Sequence, residues 1–116
     1  MIIDSHCHLT YEPMSNSLNE TIDRANQDGV KYILTISTED KSYNKIINII
    51  TKHKCVFGTY GIHPHEAKSH QHIKASDIIE KVNLNKKVIG IGETGLDFYY
   101  NHSEKNDQIN CFEEHI

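Results

Sequence analysis

Short apolar runs alternate along this chain with stripes of helical period. Four runs predict β-strands, and they cover residues 1–8, 30–36, 55–60 and 88–92. The second of them, Val-Lys-Tyr-Ile-Leu-Thr-Ile, is typical of a buried strand. Between and after the runs, apolar residues recur at i, i+3 or i+4, and i+7, which predicts four amphipathic helices. The pattern therefore predicts a strand-helix unit repeated four times.

Capping and stop signals give the expected helix boundaries. Ser17 and Glu20 have the spacing of a capping box, and Gly29 is expected to end the first helix after Asp28. Asp40 is expected to cap the second helix. The apolar positions predicted to face the core are Leu18, Ile22 and Ala25 in the first helix, Tyr43, Ile46, Ile47 and Ile50 in the second, Ala75, Ile78, Ile79 and Val82 in the third, and Ile109, Phe112 and Ile116 in the fourth.

Alternating strands and helices favour parallel βαβ units. Candidate chemistry follows strands one, three and four at their C-terminal ends, where both (β/α)8 barrels and open doubly wound sheets build their sites. A His-x-His pair favours the barrel. A barrel of this type needs roughly 250 residues, so we expect residues 1–116 to be one truncated domain, the N-terminal half of a TIM-type barrel that lacks its C-terminal half. Strands one and four would then be open edges.

The sharpest candidate site begins with His6 and His8. Alternate side chains of a strand share a face, so these imidazoles lie side by side, and neutral imidazole suits zinc, iron or manganese. Glu93 follows strand four, and a glutamate with two oxygens can bridge two metal ions. The alternatives are surface residues in a chain with nine histidines and, for Glu93, a loop carboxylate.

A second candidate lies in the loop after strand three. Pro64 biases His63 to extended geometry, which would hold its imidazole in place for a phosphate contact or for proton transfer near neutral pH. His63 is thus a candidate catalytic residue, whereas His65 is as well explained by hydrogen bonding within the loop.

Other side chains of interest have open or ordinary interpretations. Phe98, Tyr99 and Tyr100 either stack on bases in a substrate groove or pack in the fold. Cys7 is expected to be a small buried residue on the strand face opposite the two histidines. His70 and His72 lie in polar surroundings and are expected to be solvated.

Composition narrows the class of protein. A formal net charge of −4 gives no global basic field for nucleic acid, although an active-site metal would supply positive charge locally. Three widely spaced cysteines fit no disulfide framework. There is no leader-like start and no apolar run long enough for a membrane span, so we expect a cytoplasmic protein with no membrane partner.

Three motifs together resemble a known family. DSHCHL at residues 4–9, GIHPHE at residues 61–66 and IGETGLDFYY at residues 91–100 are similar to those of the TatD-type deoxyribonucleases, metal-dependent hydrolases of the amidohydrolase-like barrel superfamily. The resemblance implies a (β/α)8 barrel that hydrolyses phosphodiester bonds of DNA through a metal-activated water, often as a 3′ exonuclease, with single-stranded DNA or 3′ ends as the expected substrate.

The resemblance also implies ligands. His6 and His8 would bind the first of two divalent ions, Glu93 would bridge both, and His63 would match a polar residue of the active-site mouth. Magnesium, manganese and zinc are not distinguished. The family takes two further histidines and an aspartate from later strands, and this sequence holds no counterpart of them.

Two other functions stay open at this point. One is a non-catalytic remnant that binds at most one metal ion and self-associates through its open sheet edges. The other is a small-molecule phosphatase or amidohydrolase, because such enzymes share the His-x-His start.

Overall fold

The computed structural model describes residues 1–116 and contains a four-stranded parallel sheet. Its strands are β1 (Ile2–Cys7), β2 (Val30–Thr35), β3 (Val56–Tyr60) and β4 (Val88–Ile91), and each pairs with the next in the order β1-β2-β3-β4. The predicted α/β class with four strand-helix units is confirmed. The strands β1 and β4 are the two edges of the sheet, as predicted, while self-association through them stays a prediction.

Four helices alternate with the strands. They are α1 (Leu18–Gln27), α2 (Tyr43–Lys52), α3 (Ala75–Asn83) and α4 (Lys105–Glu113). Gly29 lies just past α1 with a φ of +94°, a left-handed conformation that favours glycine, so its predicted role as the stop of this helix is confirmed. None of these helices combines the length and the apolar character that crossing a bilayer requires.

The core between α2 and β3 is tightly packed. Ile46 and Ile50 of α2 are completely buried, and they pack directly over the backbone of Gly58 in β3. A Cβ atom at position 58 would lie 2.7 Å from Ile46 Cγ2. The close approach of this helix to the sheet therefore requires glycine at position 58.

The two predicted helix caps have different outcomes. Ser17 is the N-terminal cap residue of α1, as predicted, but its side chain makes no capping hydrogen bond, and the predicted cap at Asp40 is wrong. Asp40 lies in a short 3-10 turn before α2, where its Oδ1 accepts a hydrogen bond from the Tyr60 hydroxyl at 2.8 Å and lies 3.2 Å from Lys81 Nζ. Burial alone would raise the pKa of Asp40, but these two partners hold it below its usual value. The Asp40 carboxylate therefore binds Tyr60 and Lys81, which are distant in sequence, and does not cap the helix.

Several predicted burial assignments also fail. The strand β2 is not buried throughout, because Lys31 and Tyr32 are exposed. Ile79 of α3 is exposed as well, and Ile78 carries the buried contact there. His70 was expected to be solvated but is buried. Its Nε2 accepts from Asp40 N, its Nδ1 donates to the Glu66 carbonyl, and the Ser69 hydroxyl lies 2.9 Å from the same Nδ1.

The helix α4 shows the clearest error of register. The predicted stripe was Ile109, Phe112 and Ile116, but Gln108 and Cys111 are the buried residues of this helix, and Ile116 lies beyond its end and is exposed. Gln108 is buried because its amide binds three groups of the loop before α4. It accepts from Asp97 N at 2.7 Å and donates to the carbonyls of Asp97 and Ser103 at 2.8 and 2.9 Å.

His115, just past α4, is expected to make the protein sensitive to acid. Its Nδ1 donates to the Cys111 carbonyl and its Nε2 accepts from Ile62 N at 3.1 Å, so the buried ring is held neutral. Burial lowers the pKa of His115 from its usual 6.5. Because the folded pKa lies below the unfolded one, the stabilisation is complete above about pH 6.5 and is lost as the pH falls through the folded pKa.

Urea unfolding at pH 7.5 and pH 5 measures this effect. The variant His115→Gln, whose amide oxygen can still accept from Ile62 N, should lose less free energy of unfolding between the two pH values than the native chain. The exposed His72→Gln is the matched control. An unchanged pH dependence in His115→Gln would contradict the assignment.

Candidate metal centre

The carboxyl edge of the sheet brings three of the predicted site residues together. His6 lies in β1, His8 directly after it, and Glu93 two residues after β4. Their ligand atoms all lie within 4.8 Å of one another. The strands are parallel, so side chains that follow them meet at one edge even though they are more than eighty positions apart in the sequence.

The distances suit a shared metal ion. His6 Nε2 lies 3.5 Å and His8 Nε2 lies 3.7 Å from Glu93 Oε2. Ligand atoms around a tetrahedral ion with bonds of about 2.1 Å would be roughly 3.4 Å apart. The donor set of two imidazoles and one carboxylate thus fits a divalent cation, while the role of these residues as ligands stays a prediction.

The hydrogen bonds of His8 favour a ligand role. Its Nδ1 lies 3.3 Å from the Ile36 carbonyl, which can only accept, so this nitrogen carries the proton of the neutral ring. The lone pair is then on Nε2, the atom that faces Glu93. An orienting bond of this kind is usual for histidines that bind metals. The ring of Tyr11 stacks on His8 with an interplanar angle of 15° and supports the same orientation.

His63 has the opposite arrangement. Its Nδ1 accepts a hydrogen bond from His65 N at 3.1 Å, so in the neutral ring Nε2 carries the proton. That Nε2 lies 3.7 Å from Glu93 Oε1, the carboxylate oxygen that does not face His6 and His8. Burial is the main cause that lowers the pKa of His63, which favours the neutral ring near pH 7. His63 is therefore arranged as a hydrogen-bond donor.

Backbone hydrogen bonds from the neighbouring strands hold Glu93 in place. Its N–H donates to the Ser37 carbonyl at 2.7 Å, and Gly92 N donates to the Tyr60 carbonyl at 2.8 Å. The Ser37 hydroxyl donates in turn to the Gly61 carbonyl. The loops after β2, β3 and β4 are thus joined directly beneath the carboxylate.

The candidate ligands line an open cleft of about 330 Å³. Sequence reasoning did not find four of its lining residues as site components: Tyr11, Thr38, His65 and Glu66. The hydroxyls of Tyr11 and Thr38 lie 2.6 Å apart, which joins the loop after β1 to the loop after β2. No signal in the sequence marks this contact, because both residues lie in polar loops of ordinary composition.

His65 connects the cleft to the loop that follows β4. Its Nε2 lies 2.6 Å from Asp97 Oδ2. This bond, with the backbone N–H of Tyr99, holds the pKa of Asp97 below its usual value. The two histidines of the GIHPHE motif therefore face different carboxylates: His63 faces Glu93, and His65 faces Asp97.

Cys7 does not join the candidate ligands. Its thiol lies 3.6 Å from the Leu34 carbonyl, and burial is the main cause that raises the pKa of Cys7 to about 12. The thiol is protonated at neutral pH and half-buried, in keeping with its predicted packing role.

Comparison with known proteins identifies the family. The model of the family described as TatD related DNase matches residues 3–116. An uncharacterised metal-dependent hydrolase of Buchnera aphidicola is 34% identical over 99% of this chain, which covers 47% of that protein. A protein of Citrobacter koseri named 3′-5′ ssDNA/RNA exonuclease TatD is 26% identical over 99% of the chain and is covered to 44%.

Solved structures agree on the fold. YjjV, a TatD homologue of Escherichia coli K12, superposes with a TM-score of 0.87 at 24% identity, with 98% of this chain and 44% of that chain covered. A TatD-family hydrolase of Entamoeba histolytica gives 0.85 at 23% identity. This likeness confirms the predicted half-barrel class of fold.

The chain spans less than half the length of the relatives it matches. That residues 1–116 are one part of a longer barrel domain stays a prediction. The match of the family model over almost every residue is nevertheless sufficient to assign the family. The chain belongs to the TatD related DNase family.

Proposed function

We propose that the cleft at the carboxyl edge of the sheet hydrolyses phosphodiester bonds of DNA with the help of divalent metal ions. The convergence of His6 Nε2, His8 Nε2 and Glu93 Oε2 in one open cleft is the observation that carries this proposal. A nucleic-acid substrate is supported by the relative named as an ssDNA/RNA exonuclease.

His6, His8 and Glu93 would hold the metal. A divalent ion bound there supplies a Lewis acid that lowers the pKa of water toward about 7 and neutralises charge on a phosphoryl oxygen. Glu93 would have a second oxygen to offer another ion, because Oε2 faces the two strand-one histidines and Oε1 faces away from them toward His63. Tyr11 keeps the lone pair of His8 directed into the cleft by stacking on its ring.

His63 would bind the scissile phosphate. Its neutral ring presents the Nε2–H to the cleft, so it can donate to a non-bridging oxygen and hold the phosphodiester against the carboxylate side of the site. The backbone N–H of His65 fixes this ring from the other side. A hydrogen-bond donor that already lies where negative charge develops stabilises the transition state, because the site does not have to reorganise during the reaction.

The test is cleavage of 3′-labelled single-stranded DNA by the purified chain with Mn²⁺ or Mg²⁺, and with chelator. Cleavage that needs metal and is lost in Glu93→Ala supports the proposal. His63→Ala should retain metal binding and lose about 100-fold in turnover, the order expected for one positioned donor or acid. Cleavage that survives in Glu93→Ala, or is absent from folded, metal-loaded chain, would contradict the proposal.

Metal binding without turnover is the second candidate function. It is favoured by the fact that the chain brings only one group of three ligands together. Calorimetric binding of one ion by a chain that cleaves neither DNA nor a phosphomonoester would select it. Hydrolysis of p-nitrophenyl phosphate in preference to DNA would instead select a small-molecule phosphatase.

A further inference from the structure

The loop between β4 and α4 carries an exposed aromatic surface. We call residues 98–100 the aromatic loop: Phe98, Tyr99 and Tyr100 are 44%, 83% and 63% exposed. The rings of Tyr99 and Tyr100 meet edge to face, with centroids 4.8 Å apart. From the sequence, these three residues could either pack in the fold or stack on bases. Rings as exposed as these are not packed in the core of this chain.

The aromatic loop is held in a defined shape. Asp97 Oδ1 accepts hydrogen bonds from Tyr99 N at 3.0 Å and Tyr100 N at 3.4 Å. The buried amide of Gln108 binds both the N–H and the carbonyl of Asp97. The two tyrosines are thus presented to solvent by a turn whose base is fixed in the core, which lowers the entropic cost of using them as a binding surface.

A chain of contacts joins the aromatic loop to the cleft. The Tyr100 ring lies 5.7 Å from the ring of His65, and the rings of His65 and His63 are 4.3 Å apart. His63 faces Glu93 within the candidate metal centre. On the other side, Lys105 Nζ lies 5.1 Å over the Phe98 ring and places a cation beside the aromatic surface.

These features match the two requirements for binding a single nucleic-acid strand, namely flat rings for the bases and positive charge for the backbone. We infer that Tyr99 and Tyr100, whose rings are perpendicular, form a stacking platform in which each ring offers a face to a different unpaired nucleobase of the strand whose phosphodiester is held in the cleft. The inference rests on the proposed function and names the surface by which that site would select single strands. Bases of a duplex are stacked on each other and are not available to the tyrosines.

The experiment measures binding separately from cleavage. The probe is a fluorescein-labelled phosphorothioate oligothymidylate in Mn²⁺, and the reference is an oligonucleotide of equal length with abasic residues at its 3′ end. Tyr99→Leu and Tyr100→Leu should each raise the Kd for the thymidylate about tenfold, the order expected for loss of one stacked base. Neither should change the Kd for the abasic reference.

Two further variants separate stacking from folding. Tyr99→Phe keeps the ring and should bind the thymidylate within twofold of the native chain. Tyr32→Leu removes a tyrosine that is 47% exposed in β2 and should bind like the native chain. Native affinity in Tyr99→Leu and Tyr100→Leu, or equal weakening on both oligonucleotides, would overturn the inference.

Cleavage assays on the same variants separate this inference from the proposed function. If the native chain binds thymidylate more tightly than the abasic reference, depends on the two tyrosines for this and hydrolyses no DNA, the stacking platform stands and the proposed function is wrong. Metal-dependent hydrolysis with no effect of the tyrosine variants on KM would retain the function and overturn the platform.

Discussion

Replacing Glu93 by glutamine is expected to weaken the binding of Mn²⁺ or Zn²⁺ at least about 100-fold. Loss of a residue that only orients a metal ligand already lowers metal affinity by roughly 10- to 100-fold, and Glu93 is a candidate ligand itself. The carboxylate is the one anionic group among the three candidate ligands, and its Oε2 lies within 3.7 Å of both histidine Nε2 atoms. A neutral carboxamide keeps the shape of the side chain but removes the charge that a hard cation requires. Isothermal titration calorimetry measures this directly.

Glu80→Gln provides the matched control, because Glu80 is an exposed glutamate of α3 away from the cleft. It removes the same charge from the chain and should leave the affinity for metal unchanged. If Glu93→Gln bound the ion as tightly as Glu80→Gln, then His6, His8 and Glu93 would not be the metal site, and the proposed hydrolysis would lose its main support.

The parts of this protein that follow local patterns could be predicted from its sequence. Short apolar runs identified all four strands, and the helical period of 3.6 residues identified all four helices. The convergence of His6 and Glu93 also followed from topology alone, since parallel strands present their carboxyl ends at one edge.

The parts that depend on contacts between distant polar groups could not be predicted. Gln108 is polar, yet it is buried because three backbone groups of the preceding loop need its amide. The same holds for Asp40, whose partners Tyr60 and Lys81 lie twenty and more positions away. Hydrophobic pattern assigns such residues to the surface or to caps, because it carries no information about which distant groups will need a partner.

The candidate metal centre depends on the same kind of contact. Its carboxylate is placed by backbone groups of Ser37 and Tyr60, neither of which touches a ligand atom through its side chain or carries a recognisable motif. The motif residues thus specify which atoms the site offers. The unremarkable loops after β2 and β3 specify where those atoms lie.

Gly61→Ala is therefore expected to damage stability and metal binding together. A Cβ atom at position 61 would lie 2.6 Å from the carbonyl carbon of Gly92 and 2.7 Å from its Cα. Backbone cannot rotate away as a flexible side chain would, so we expect a loss of about 3 kcal/mol in the free energy of unfolding, at the upper end of ordinary overpacking. Because Gly92 directly precedes Glu93, the same displacement should move the carboxylate from the two histidines and weaken metal binding about tenfold.

Gly90→Ala is the control for Gly61→Ala. It tests whether the loss of stability and of metal binding comes from the contact at position 61 and not from replacing any glycine of this region by alanine. A Cβ atom at position 90 would meet only Thr59 Cγ2, at an ordinary 3.6 Å. Urea unfolding and calorimetry on both variants should show a stable, metal-binding Gly90→Ala beside a destabilised Gly61→Ala. Equal behaviour of the two would mean that the contact between positions 61 and 92 does not hold Glu93 in place. The site would then owe its geometry to the backbone hydrogen bonds to the Ser37 and Tyr60 carbonyls.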